Sequence, residues 1–225
     1  MHLHHYIFYF MVGIEVLLLI PFFLHYRLLN KEQRVIFAYA ISNAFTGVVA
    51  DIIARIYHNN MAFTAVMFLV QFFILTLFYI HVLKHPKAKK ILQVMLAAAV
   101  ALFAVDFTFL EGPLLFNSIF ISFRTFVLII YGVIFFLQLM RDESLIEQSI
   151  YINTLPAFWF NAGLFVSLCC SFPLDLCFNF LQRGGTPDDK LLSIFRITAS
   201  LTWTGGVIQA ILFYIGLLKV KGVRR

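Results

Sequence analysis

Charge is what this chain has least of. Asp, Glu, Lys and Arg together make up 12% of its 225 residues, about half the share of a water-soluble globular domain. That shortage, with a hydrophobic fraction of 62% and a mean hydropathy of +0.92, excludes an ordinary soluble fold. Polar/apolar alternation is also missing: stretches such as QVMLAAAVALFAV carry no period of two, which excludes a transmembrane β-barrel. Cysteine is sparse, with Cys169, Cys170 and Cys177 all in one apolar run, where the thiol behaves as a small hydrophobe and predicts packing, not redox or metal chemistry. The opening MHLHH lacks the cationic region and small-residue cleavage site of a signal peptide, so the first apolar run is expected to stay as a membrane span.

Long apolar runs are what remain. Seven of them, over roughly 6–27, 34–57, 61–83, 91–110, 117–140, 156–181 and 192–219, are each long enough as a helix to cross about 30 Å of hydrocarbon. The connections are too short to fold alone, which predicts an all-α, polytopic membrane protein with 1–225 as a single seven-helix domain. Of the 17 Lys and Arg residues, twelve fall at one end of these spans, among them Arg27, Lys31, Arg34, Lys84, Lys87, Lys89, Lys90 and Arg141, against Arg183 and Lys190 at the other. Because cationic loops stay in the cytoplasm, the N-terminus is expected outside and the C-terminus inside, in an inner (cytoplasmic) membrane. The net charge of +6 is therefore a topology signal and an attraction to anionic headgroups, and no nucleic-acid partner is expected.

Against this apolar background the intramembrane charges stand out. SNAFTGVVADIIARI in the second span places Asn43, Gly47, Asp51 and Arg55 at steps of four, a stripe expected to face the bundle interior. At a matching depth the fourth span brings Asp106, the fifth Arg124, the sixth Asp175 with Ser171 and Asn179, and the seventh Arg196. An ionisable side chain at a helix centre costs roughly 2.5–3.5 kcal/mol on insertion scales, so such groups should turn inward and find partners or water. The expected site is accordingly a polar chamber lined by Asp51, Arg55, Asp106, Arg124, Asp175 and Arg196, whose guanidinium groups could hold a small anionic or zwitterionic ligand through paired hydrogen bonds. Glu15, with no evident cation beside it, is expected to bond Gln71 or Asn43 and to serve as a proton-linked group. Asn179 and Trp203 complete the supporting set. The alternative is structural: three acids balance three arginines and fix helix register.

Catalysis and cofactors find no foothold. Retinal needs a mid-depth lysine in the seventh span, and Lys219 and Lys221 lie at its end. Intramembrane metal hydrolases need histidines clustered with acids at one depth, whereas the seven here divide between the two surfaces; His81 and His85, four apart, have no third ligand near them, and His2, His4 and His5 belong to the leading tail. No GxSx sequence has a partner histidine in a later span. Trp159, after Pro156, reads as an interfacial anchor, while Pro173, Gly205 and Gly206 are expected to loosen the sixth and seventh helices.

FYFMVGIEVLLLIPFFLHYR, the ADIIARI ending of the second span and LPAFWFNAGLFVSLCCSFP, with Phe158, Trp159, Asn161 and Gly163, resemble a set of small seven-transmembrane-helix proteins of Bacteroidota. Genes of that set often lie near two-component signalling genes, and the resemblance implies a sensory role without any biochemical activity. Its members often carry an acid where Gln71 stands here, so the resemblance lends no proton-coupled role to that position. Together these readings predict a receptor-like module that binds a small outside ligand and signals to a cytoplasmic protein, with a small-solute transporter as the second reading.

Overall fold

A computed structural model describes residues 2–143, 145, 151–183 and 189–222, with side chains over 9–143, 145, 151–179 and 193–220. The side chains of His2, His4, His5, Arg183 and Lys190 lie outside the described residues. About 90% of the chain is helical, with no strand among the described residues, and seven helices are long and apolar enough to cross a membrane. These are α1 (His2–His25), α2 (Lys31–Tyr57), α3 (Met61–Val82), α4 (Pro86–Val105), α5 (Ser118–Met140), α6 (Pro156–Arg183) and α7 (Asp189–Gly222).

Local chemistry sets the ends. Asn30 and Gln33 form a reciprocal capping box at the start of α2: the Asn30 side chain accepts from the Gln33 N–H at 3.1 Å, and the Gln33 side chain accepts from the Asn30 N–H at 3.0 Å. Pro86 opens α4, where its missing N–H costs no helical bond, and so the Lys-rich turn is helical and α4 begins before its apolar run. A π-helical turn, Asp106–Leu110, continues α4. It ends where the Asp106 carbonyl accepts from both Glu111 and Gly112, the latter at φ +78°, a conformation that favours glycine.

Toward the end that carries Lys84, Lys87, Lys89 and Lys90, here the basic end, the bundle is filled with aromatic rings. Phe22 of α1 stacks on Phe37 of α2 at 5.3 Å, and Phe160 of α6 meets Phe213 of α7 edge to face at 5.6 Å; all four are buried. Such pairs are each worth about 0.5–1.5 kcal/mol beyond their area. Lipid provides no hydrophobic drive between helices, so close approach must supply the rest. Gly205 is the point of closest approach between α6 and α7, since a Cβ there would lie 2.6 Å from the Cys170 Cβ. Pro173, Gly205 and Gly206 therefore do not interrupt their helices: α6 and α7 each run through unbroken. Helices α1 and α4 each bury only two of their described side chains, Met11 and Phe22 in α1 and Leu92 and Ala99 in α4.

Candidate functional site

Between the middle of the bundle and the end opposite the basic one lies a cavity of about 360 Å³, walled by α1, α2, α3, α5, α6 and α7. Its polar lining includes Glu15, Asn43, Gln71, Arg124, Asp175 and Trp203, with Tyr39, Thr46, Ser171 and Gln209 among the others, so six of the eleven residues expected at the site share one chamber.

Their hydrogen bonds form a directed chain. Arg124 Nη2 donates to Gln71 Oε1 at 3.3 Å, Gln71 Nε2 donates to Asn43 Oδ1 at 3.4 Å and to Thr46 Oγ1 at 3.3 Å, and Asn43 Nδ2 donates to Glu15 Oε1 at 2.8 Å. Every amide dipole in that relay points the same way, from guanidinium to carboxylate. Two neutral side chains therefore stand between the cation and the acid, polarised by both. On the far wall Asp175 accepts from Thr125 Oγ1 at 2.8 Å and from Ser171 Oγ at 3.5 Å.

Arg124 is the unusual member. It is only 5% exposed, its guanidinium lies 4.7 Å from the centre of the Phe68 ring, and its Nε has no hydrogen-bond partner. Two ion pairs join described residues, Asp51 with Arg55 and Lys84 with Asp142, and Arg124 belongs to neither. A ring face contributes about 2 kcal/mol when the cation is desolvated, which does not neutralise the charge. The expected pairwise matching of three acids with three arginines is thus corrected: Arg124 makes no direct ion pair with a described residue, although Glu15 and Asp175 line the same chamber.

The other singled-out residues lie elsewhere. Asp51 and Arg55 pair with each other at 2.9 Å on the rim, with the Arg55 side chain 62% exposed and a further bond from Arg55 to the Tyr9 hydroxyl. The expected inward stripe fails for a geometric reason. Each step of four residues advances about 40° beyond a full turn, so by Arg55 the helix has rotated about 120° from Asn43.

Asp106 is fully buried but serves the backbone, its Oδ2 accepting from the Phe120 N–H at 2.9 Å and capping α5 from a neighbouring helix. Asn179 belongs to the same knot, donating to Glu111 Oε1, to the Phe116 carbonyl and to Ser118 Oγ. Arg196 is exposed, in a stretch of α7 from Ser193 to Thr198 where no side chain is buried.

Sequence reasoning missed Glu111, which accepts from Ser118 Oγ at 2.7 Å and from the Ile119 N–H at 3.4 Å. An acid shortly before a helix start is the signal that could have found it. It also missed Gln209, which lines the chamber and whose Nε2 donates to the Tyr39 hydroxyl at 3.4 Å, and a polar step beyond it, where the Tyr79 hydroxyl donates to Asn161 Oδ1 at 2.9 Å while Asn161 Nδ2 reaches the Gly132 carbonyl at 3.3 Å. His81 and His85 are occupied locally, against the Leu77 carbonyl and the Lys87 N–H, and Trp159 Nε1 donates to the Asn153 carbonyl at 2.8 Å. No family model matches the sequence, and no curated protein or solved structure is similar to it.

Proposed function

We propose that this protein is a receptor-like membrane sensor whose chamber binds a small organic anion through Arg124. The observation that carries the reading is the buried guanidinium at the wall of a 360 Å³ cavity, with an unpartnered Nε. A charge held in that state is worth keeping only if something completes it, and a carboxylate would do so with two parallel N–H···O bonds. The asymmetry of Lys and Arg supports a chamber in the outer half of an inner membrane with the basic end in the cytoplasm. There the ends of α2, α3, α5 and α6 surround a second hollow of about 460 Å³ beside the Lys84–Asp142 pair, where a separate signalling protein could sense helix movement. The likeness to the Bacteroidota proteins agrees with that division of labour. No reaction is proposed.

Thermal shift of the purified protein against a panel of small carboxylates is the test. A ligand at a hundred times its Kd should stabilise the fold by about 2.7 kcal/mol; Arg124→Gln, which keeps a hydrogen-bonding side chain, should abolish the shift without unfolding the apoprotein. A panel in which no anion stabilises the wild type more than the variant would sink the reading.

Transport is the second reading, favoured by one observation: beyond Tyr39 and Gln209, which line the chamber, a further polar pair follows, Tyr79 with Asn161. Uptake of a labelled anion into proteoliposomes, blocked by Asn161→Leu, would establish it in place of sensing.

A further inference from the structure

The chamber has neighbours on the side of α1 and α7. A small gap of about 20 Å³ beside Glu15, Asn43 and Gln209 adjoins it, and that gap shares Leu18 and Ala210 with a groove of about 420 Å³ between α1 and α7. The groove is apolar throughout, lined by Leu17, Leu18, Pro21, Val207, Ile211 and Tyr214 among others. Polar chamber, gap and apolar groove are therefore neighbours, with the side chains of Leu18 and Ala210 between gap and groove. At the opposite end of the chamber the rings of Phe116 and Phe178 lie 4.2 Å apart, with Asn179 bonded to the Phe116 carbonyl. One wall of the groove is α1, whose Pro21 removes one intrahelical bond.

Resting on the reading that the Arg124 chamber is the ligand site, we infer that the ligand is a single-chain amphiphile with a carboxylate head, a fatty acid or close analogue, which slips in from the bilayer between α1 and α7. The head is a monoanion because one guanidinium faces it while Glu15 and Asp175 line the same chamber, an arrangement that penalises the second charge of a phosphate. The tail is a single chain because the groove is walled by two helices and opens on lipid. In the bound state the carboxylate meets the Arg124 guanidinium and the chain lies along Leu18, Ala210 and Ile211.

Trp203, which lines the chamber, is the reporter. With Trp159→Phe as background and the protein in nanodiscs, a stearic acid brominated near its head should quench Trp203 fluorescence saturably, and unbrominated stearate should reverse the quenching. Arg124→Gln should weaken binding at least tenfold, with Arg124→Lys partly restoring it. Filling the groove with Leu17→Phe plus Ile211→Phe, at positions 63% and 54% exposed to lipid, should weaken stearate several-fold and leave any short carboxylate unaffected. Butyrate displacing the brominated acid as well as stearate does would overturn the amphiphile inference while leaving the Arg124 site standing. Quenching that is non-saturable, equal for a brominated phosphatidylcholine or indifferent to Arg124→Gln would overturn it as bulk lipid contact. Should neither stearate nor any short carboxylate bind, both readings fall together.

Discussion

The rim at Asp106 and the chamber at Arg124 lie about one to two helical turns apart along α5 and treat buried charge in opposite ways. At the rim the acids are spent on the fold: Asp106 caps α5 through the Phe120 N–H, and Glu111 takes the Ser118 hydroxyl and the Ile119 N–H. In the chamber the cation is left short, with one amide oxygen, one ring face and a free Nε. An unpaired buried polar atom costs stability in both places, since Asp106 Oδ1 lacks a partner as Arg124 Nε does. What separates the two charges is their setting: Arg124 lines a cavity, whereas Asp106 lines none of the cavities described.

The largest stability effect that separates the two regions is expected at the rim. Asp106→Ala removes a helix cap and leaves the Phe120 N–H unpaired in a buried setting, a loss of about 1–2 kcal/mol. At about 2–4 °C per kcal/mol for a chain of this size, that loss is readable as a lowered thermal midpoint. Anion binding per folded molecule should not change. Lost binding in a folded Asp106→Ala protein would mean that rim and chamber act as one unit.

A smaller effect is expected from Arg124→Met in the absence of ligand. The substitution gives up a ring contact worth about 1–2 kcal/mol and a bond to Gln71 worth about 1 kcal/mol. It also relieves an intramembrane charge that costs roughly 2.5–3.5 kcal/mol. The balance lies within about 1 kcal/mol of zero, so the midpoint should hold or rise slightly. A drop as large as that of Asp106→Ala would place Arg124 among the structural charges after all.

The comparison also shows what could be read in the sequence. Span number was legible because twenty apolar residues leave hydrocarbon no other solution, and depth followed from counting residues at 1.5 Å each. Direction around each helix was not. Asn43 and Arg55 were assigned one stripe, yet about 120° of rotation separates them, and Asp106 and Arg124 had the same apparent depth although one meets a backbone N–H and the other a cavity. Gln209, and the bond that Asn161 makes, were not legible because a single amide in an apolar run gives no period, and the partners, Tyr39 and Tyr79, lie on other helices. Helix ends were half legible: Asn30-x-x-Gln33 is a capping signature in the sequence itself, whereas the cap of α5 comes from a residue fourteen positions away.

The smallest effect belongs to Asp51 and Arg55, the pair whose i, i+4 spacing first drew attention to the second span. Their contact is short, 2.9 Å, but the side chains are 26% and 62% exposed, and an exposed pair is weakened by solvent and by the entropy of holding two long side chains. Arg55 also keeps the Tyr9 hydroxyl and the Tyr9 ring, so the loss of the acid leaves it with partners. Asp51→Asn should accordingly keep the thermal midpoint within about 1 °C of wild type and leave both carboxylate binding and its dependence on Arg124 unchanged. A binding defect in this variant, with the midpoint unmoved, would extend the ligand's path to the rim and make Asp51 and Arg55 part of its route; an unaltered titration would confine recognition to the wall on which Arg124 stands.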